Sequence, residues 1–233
     1  AQPRCREPFL SRGHRYFEQH HPSAFLLAGQ LLLLILYAVF DGNGAGRALI
    51  SAIGVMVLML AVWAVIHSPA ANRLSWTLAI PAFALSVLSA IFPTNSTLLA
   101  WSSLVGGVFY FYAAGAMISY MMEDTRVTTD ELFAAGATFT LFAWGYAHLY
   151  LVTQTWLPGS FLTSTPGQPA TFLELLFLSF TNLSATGLGD IMPVVPIARV
   201  LAMLEQFTGV GYVAVVVSRL VSMTMLRIKS SAD

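Results

Sequence analysis

The sequence predicts an all-α membrane protein with six transmembrane helices and one re-entrant helix that leads into a loop. The chain of 233 residues is 57% hydrophobic and only 9% charged, which is far from the composition of a soluble domain. Its six apolar segments are each near the roughly 20 residues that a helix needs to cross the hydrocarbon core. The stretch SATGLGDIMP, residues 184–193, interrupts this apolar pattern before the last segment. We call residues 185–190 the glycine loop.

Backbone that leaves the helix inside a bilayer is tolerated only where protein buries it or where it lines a watery path. The glycine loop is therefore the first candidate for a functional element. The six predicted spans cover residues 24–40, 49–66, 76–92, 98–122, 131–153 and 196–224. The connections are short, except for the insert 154–195 that contains the loop.

Other features of composition limit the function classes. The formal net charge is zero, so nothing indicates a nucleic-acid partner, and membrane lipids are the expected surroundings. The single Cys5 excludes an internal disulfide.

The basic residues predict the orientation of the chain. With the amino terminus in the cytoplasm, the outer side carries only Arg47 and Arg199, and the positive-inside rule favours that arrangement. The residues then on the inner side are Arg4, Arg6, Arg12, Arg15, Arg73, Arg126, Arg227 and Lys229. Six spans return the carboxyl terminus to the cytoplasm, so we expect a multi-pass protein of the cell (inner) membrane with both termini inside.

The insert contains a predicted half-length helix, TFLELLFLSFTNL. Thr171 followed by Glu174 has the spacing of a capping box, which marks a helix start. About 12 residues at 1.5 Å per residue give roughly 18 Å, only about half of a bilayer. Thr128 and Glu131 repeat the capping-box spacing at the start of the fifth span.

A half-length helix, the sequence ATGLGD and a final span follow one another in the order that is typical of the potassium channel superfamily. The chain resembles its bacterial six-span members, which have a single pore loop. The segments VTTDELFAAGATFTLFAWGYAHLYLV and PIARVLAMLEQFTGVGYVAVVVSRLV on either side carry the same resemblance, so that it covers roughly residues 127–225.

This resemblance implies a selectivity filter in the glycine loop. Rings of backbone carbonyls replace the hydration shell of a permeant cation in such filters. K⁺ would bind the carbonyls of Ala185, Thr186, Gly187 and Leu188, with Gly189 at the outer edge and Asp190 at the outer mouth. One loop in each chain implies a homotetramer, with passive K⁺ flux and no cofactor besides the permeant ion.

The resemblance also divides the chain into domains. Residues 1–22 would be a cytoplasmic segment, 23–122 a four-helix membrane domain, 127–226 the pore domain and 227–233 a cytoplasmic tail. The span 98–122 contains no arginine or lysine, so the four-helix domain lacks the charges of a voltage sensor.

Three positions of the loop depart from the family pattern. Ala185 replaces the threonine whose hydroxyl contributes to the innermost ion site, Thr186 replaces a valine, and Leu188 replaces an aromatic residue. We expect these changes to weaken potassium preference, and we expect Ala185→Thr to strengthen the inner site. A weakly selective cation channel of the same fold is the alternative.

Further candidates lie around the loop. Glu205 in the last span would support the filter through Thr181, Thr186 or Asp190, and its alternative is a carboxyl that meets water or a neighbouring helix. Ser184 is a second candidate for filter support, together with Thr181. Gly209 and Gly211 interrupt the inner helix, either as a gating hinge or as small residues for helix packing.

An intramembrane hydrolase is a remote alternative from another class, with Ser184 as nucleophile and His148 as base. No G-x-S-x-G motif surrounds Ser184. A hydroxyl nucleophile needs a base within hydrogen-bond reach, which this sequence does not indicate. A core histidine is the preferred interpretation of His148.

Overall fold

A computed structural model describes residues 22–40, 55–56, 59–62, 73–123, 129–163, 165 and 167–230. Its elements are α1 Pro22–Phe40, α2 Arg73–Ile91, α3 Ser96–Glu123, α4 Thr129–Trp156, β1 Phe161–Leu162, α5 Phe172–Leu183, β2 Met192–Pro193 and α6 Pro196–Ser230. The predicted amino-terminal segment, most of the span 49–66 and the capping residue Thr128 lie outside the described residues.

The helices agree closely with the apolar segments, and α5 occupies the predicted half-length helix. Among the described residues, Ser96–Met122 and Pro196–Arg219 are long and apolar enough to cross a membrane. Shorter apolar helices cover Ser23–Val39, Ser75–Ile91 and Phe172–Leu183. The remaining long helix, α4, has 28 residues and begins with Asp130 and Glu131 in its first turn.

A small antiparallel ladder of two residues per strand adds to the helical fold. Phe161 pairs with Pro193 and Leu162 with Met192. The amide of Val194 also donates to the carbonyl of Ser160 over 2.9 Å. This ladder joins the two ends of the insert that contains α5 and the glycine loop. Two residues per strand are too few to give an alternating pattern, so the sequence offered no signal for it.

The helix α4 lies at the centre of the fold and contacts α1, α3, α5 and α6. Its Trp144 is fully buried and packs against Tyr110 of α3 and Tyr37 of α1. At the start of α4, the Asp130 carboxylate accepts hydrogen bonds from the amide and the hydroxyl of Ser23. This carboxylate therefore ties the start of α1 to α4.

Polar contacts connect α4 to α6 along most of their length. Arg219 forms an ion pair of 3.3 Å with Glu131 near one end. The hydroxyl of Tyr212 donates to the Ala135 carbonyl over 2.7 Å. Further contacts, Tyr146 with Thr208 and Tyr150 with Glu205, follow toward the other end. Residue numbers rise along α4 as they fall along α6, so the two helices are antiparallel, and α5 packs against both.

Candidate functional site

The start of α5 is fixed by its own cap and by α4. The Glu174 amide donates to Thr171 Oγ1 over 3.2 Å, and the Thr171 amide donates to Glu174 Oε2 over 2.6 Å. These two bonds form the predicted capping box. The side-chain amide of Gln154 in α4 also pairs with both backbone groups of Ala170, at 2.9 and 2.8 Å. The helix that leads into the glycine loop is therefore held firmly at its first turn.

One carbonyl at the end of α5, that of Thr181, organises the glycine loop. It accepts hydrogen bonds from the amide of Thr186 over 3.0 Å and from the amide of Gly187 over 3.2 Å. The Thr186 hydroxyl donates to the same oxygen over 3.2 Å, and the Ser184 hydroxyl does so over 3.3 Å. The Ser184 and Thr186 hydroxyls are also 3.0 Å apart. The Thr181 carbonyl and the Ser184 hydroxyl thus both contact the loop, and their support of a filter stays a prediction.

These bonds determine which way two loop carbonyls face. In a planar trans peptide, the amide hydrogen of one residue and the carbonyl oxygen of the preceding residue point in opposite directions. The amides of Thr186 and Gly187 point at Thr181. The carbonyls of Ala185 and Thr186 therefore point away from α5, onto the exposed side of the loop.

Two residues of the loop, Ala185 and Gly187, have left-handed backbone conformations. Gly187 has a φ of +63°, which glycine adopts at no steric cost. Ala185 has a φ of +56° and is the only non-glycine residue with positive φ in the described part of the chain. Such a conformation costs an L-residue about 1–2 kcal/mol and has to be imposed by surrounding bonds. The bonds to Thr181 supply this constraint.

The glycine loop is exposed along its whole length in the single chain. Leu188 is 70% exposed, a high value for a large apolar side chain. Gly189 and Asp190 are exposed as well, and an added Cβ at Gly189 would lie 3.5 Å from the Phe177 ring. A single copy of the chain thus leaves the loop uncovered.

Glu205 is fully buried behind α5. Its carboxylate accepts a hydrogen bond of 2.5 Å from the Tyr150 hydroxyl and one of 3.4 Å from the Asn182 side-chain amide. The Ser179 hydroxyl is its third partner. Glu205 therefore joins α5 to α4 through Tyr150, Ser179 and Asn182, and its support of a filter stays a prediction.

The partners predicted for Glu205 were wrong for a geometric reason. Thr181 uses its side chain on the Leu178 carbonyl, and the Thr186 hydroxyl turns to Thr181. Within the described part of the chain Asp190 forms no hydrogen bond with Glu205, and Asp190 is exposed at the end of the loop. Ser179 and Asn182, three positions apart in an apolar helix, share a face. That polar face is the signal in the sequence that could have identified the partners.

Gly209 lies in close contact with the end of α5. An added Cβ would lie 1.9 Å from the Leu183 carbonyl oxygen, so even alanine does not fit. An added Cβ at Gly211 would meet nothing within 4 Å. The structure thus bears out the packing interpretation for Gly209, and α6 runs without a break from Pro196 to Ser230. A hinge role for either glycine stays a prediction.

Comparison with known proteins assigns this arrangement to a family. The sequence model of a family described as ion channel matches residues 105–225, from α3 into α6 and over half of the chain. The chain belongs to the ion channel family. This membership places it in the potassium channel superfamily and makes it a membrane protein. No curated protein and no solved structure matches the channel significantly.

The family consists of ion channels, so the hydrolase alternative is wrong. The geometry of the channel is consistent with this. The Ser184 hydroxyl bonds with Thr181 and Thr186 at the loop. His148 packs instead between Tyr110, at a ring distance of 5.4 Å, and Phe172, at 5.0 Å.

Proposed function

We propose that the channel assembles as a homotetramer and conducts K⁺ in preference to Na⁺ through its glycine loops. Four loops around one axis would place rings of backbone carbonyls from residues 185–188 against the permeant ion, and Asp190 would form a negative ring at the outer mouth. Desolvation of a cation requires such rings of oxygens.

The single observation that carries this proposal is the orientation of the loop carbonyls. The Thr181 carbonyl binds the amides of Thr186 and Gly187, which leaves the carbonyls of Ala185 and Thr186 on the exposed side. A loop that bound an anion would instead present backbone amides to its ligand. The carboxyl end of α5 adds a partial negative charge at the same place.

The exposed surface of α6 supports assembly of several copies. Phe207 is 80% exposed and Met203 is 59% exposed, close in sequence to the fully buried Glu205. A groove of about 390 Å³ lies directly beside the end of α5. Its described lining residues are Leu183, Ser184, Gly209, Val210, Val213, Ala214 and Val217. In a tetramer, four such grooves would enclose an apolar vestibule below the loops.

The polar side chains of the loop affect the expected selectivity. The hydroxyls of Ser184 and Thr186 bond to Thr181 and to each other, so they serve the scaffold of the loop. Ala185 brings no hydroxyl of its own. Backbone carbonyls would thus supply the ion ligands, which supports potassium preference of reduced strength. A weakly selective cation channel remains the second candidate, favoured by Ala185 and Leu188.

The same proposal includes the topology. We place six spans across the cell (inner) membrane, with both termini in the cytoplasm and lipid around the four-helix domain 23–122. The pore domain 127–226 then faces its copies through α5, the glycine loop and α6. The excess of basic residues on the inner side supports this arrangement.

Flux from purified channel in liposomes tests the proposal. We expect K⁺ efflux in a potassium gradient, with slower Na⁺ flux under a matched sodium gradient. Gly187 and Gly159 provide a matched pair, because both have positive φ and an added Cβ at either meets nothing within 4 Å. Gly187→Ala should lower K⁺ flux, because a Cβ disfavours the positive φ that the loop needs at this position, whereas Gly159→Ala, outside the loop, should retain it. Equal rates for both variants would contradict conduction through the loop.

Native mass spectrometry tests the oligomeric state separately. We expect a complex of four copies of the 25.3 kDa chain released from mild detergent. A sample that conducts K⁺ but contains only monomers or dimers would overturn the tetramer.

A further inference from the structure

A second cavity lies inside the helical bundle, away from the glycine loop. It has a volume of about 150 Å³, is partly open to its surroundings, and is lined by residues of α1 to α5 and by Val55. Among its described lining residues are Ser102, Ser103, Tyr110, Trp144, His148 and Phe172. Its walls therefore combine aromatic rings with hydroxyls and two ring nitrogens.

Two of the lining side chains have buried polar atoms without a hydrogen-bond partner among the described residues. Neither Trp144 Nε1 nor His148 Nδ1 has a hydrogen-bond partner in the described part of the chain. Trp144 is fully buried, so its indole N–H also has no access to bulk water. A buried polar group without a partner costs about 1–3 kcal/mol. Two such groups beside one cavity therefore indicate that a molecule in the cavity forms hydrogen bonds with them.

The chemistry of the walls selects the occupant. Indole Nε1 can only donate, whereas a neutral imidazole nitrogen either donates or accepts. A hydroxyl can accept from Trp144 and also exchange a hydrogen bond with His148. The rings of Tyr110 and Phe172, which pack on His148, offer an apolar surface to the rest of such a molecule.

We infer that this cavity is a binding site for a small neutral molecule with one hydroxyl group on a compact apolar body. A cavity of about 150 Å³ is large enough for a molecule of the size of benzene. The site is separate from the ion path and does not depend on which cation the channel conducts. Because Phe172 is the first residue of α5, the occupant contacts the helix that leads to the glycine loop.

Fluorescence quenching of Trp144 by a matched pair of probes tests the inference. 2,2,2-Trichloroethanol and 1,1,1-trichloroethane are similar in size and both quench indole, but only the first has a hydroxyl. The channel has five tryptophans, so Trp63, Trp76, Trp101 and Trp156 are replaced by Phe in the full chain. We expect saturable quenching by both probes. The dissociation constant for trichloroethanol should be roughly three- to tenfold lower than that for trichloroethane, which is the factor that one net hydrogen bond gives.

Variants separate binding in the cavity from partition into detergent. His148→Phe keeps an aromatic ring but loses one of the two hydrogen-bond partners, so it should weaken the preference for the hydroxyl probe. Gly106→Val should abolish saturable quenching, because its side chain would occupy the cavity next to His148, 3.9 Å from an added Cβ. Gly115→Val on the same helix is the matched control, since an added Cβ there meets nothing within 4 Å.

A variant that keeps only Trp101, which is 52% exposed, measures quenching from partition alone. If Trp144 is quenched linearly and equally by both probes, or not quenched at all because only water enters, the inference is wrong. Should the variant with four Phe substitutions fail to fold, the difference between wild type and Trp144→Phe gives the same comparison.

Discussion

The Tyr150 hydroxyl donates a hydrogen bond of 2.5 Å to Glu205 Oε2 and so joins α4 to α6 behind α5. Ser179 and Asn182 of α5 bond to the same carboxylate, so three helices meet at one buried side chain. The Ser179 hydroxyl also lies 2.8 Å from the Ala143 carbonyl, and its single proton can serve only one of these two acceptors at a time. The position of α5, and with it that of the glycine loop, depends on this junction.

Glutamine at position 205 should preserve the junction. Its oxygen can accept from Tyr150, and its NH₂ group can donate to Ser179, which then donates to Ala143. We expect Glu205→Gln to keep the tetramer and most of the K⁺ flux. Glu205→Ala leaves the Tyr150 hydroxyl and the Asn182 amide buried without this acceptor, at about 1–3 kcal/mol for each group. Thermal unfolding in detergent measures the stability of both variants. Equal melting temperatures for wild type and Glu205→Ala would show that Glu205 does not stabilise this junction.

Gly209 should be intolerant of any side chain, whereas Gly211 should accept one. A methyl group at position 209 would collide with the Leu183 carbonyl, which belongs to backbone and cannot turn aside. Overpacking of this kind costs about 1–3 kcal/mol, so we expect Gly209→Ala to lower the melting temperature and the yield of tetramer. Gly211→Ala is its control on the same helix. If both variants are as stable as wild type yet differ in open time, Gly209 acts as a hinge and not as a packing residue.

Local signals in the sequence were sufficient for the described helices and for part of the candidate site. The capping box at Thr171 and Glu174 fixed the start of α5, and a lone carboxylate in an apolar span predicted that Glu205 needs polar partners. The identity of those partners depends on how α4 and α5 pack, which no local pattern contains. The positive φ of Ala185 could not be predicted from the sequence either, because only the bonds to Thr181 impose it on a residue other than glycine.

Channel opening should depend little on voltage. The predicted spans 24–40, 49–66, 76–92 and 98–122 contain no arginine or lysine. In α6, Arg219 is paired with Glu131, so a joint movement of the two transfers no net charge. Each elementary charge moved across the membrane contributes about 2.3 kcal/mol per 100 mV, so steep activation needs several charges in each subunit. Bilayer recordings without blocking ions should give a shallow dependence of open probability on voltage, and a gating charge of several units would contradict the prediction.

The backbone of Ala185 changes the outcome expected from substitutions there. The resemblance to potassium channels predicts that Ala185→Thr adds a hydroxyl layer and improves potassium preference. Threonine is β-branched, however, and at a φ of +56° such a residue is strongly disfavoured. We expect Ala185→Thr to cost about 1–3 kcal/mol and to lower both the melting temperature and the K⁺ flux.

Two further substitutions at this position separate backbone strain from the missing hydroxyl. Ala185→Gly removes the strain of positive φ and adds entropy to the unfolded chain, so the two effects should nearly cancel in the melting temperature. Ala185→Ser brings a hydroxyl without a branched Cβ, and it should raise the permeability ratio of K⁺ to Na⁺ if that hydroxyl reaches the ion. Ser184→Ala, measured beside it, checks that the Ser184 hydroxyl serves only Thr181 and Thr186. If Ala185→Thr is as stable as wild type, the left-handed backbone at Ala185 is refuted. If Ala185→Ser leaves the permeability ratio unchanged, the place of residue 185 at the inner ion site is refuted.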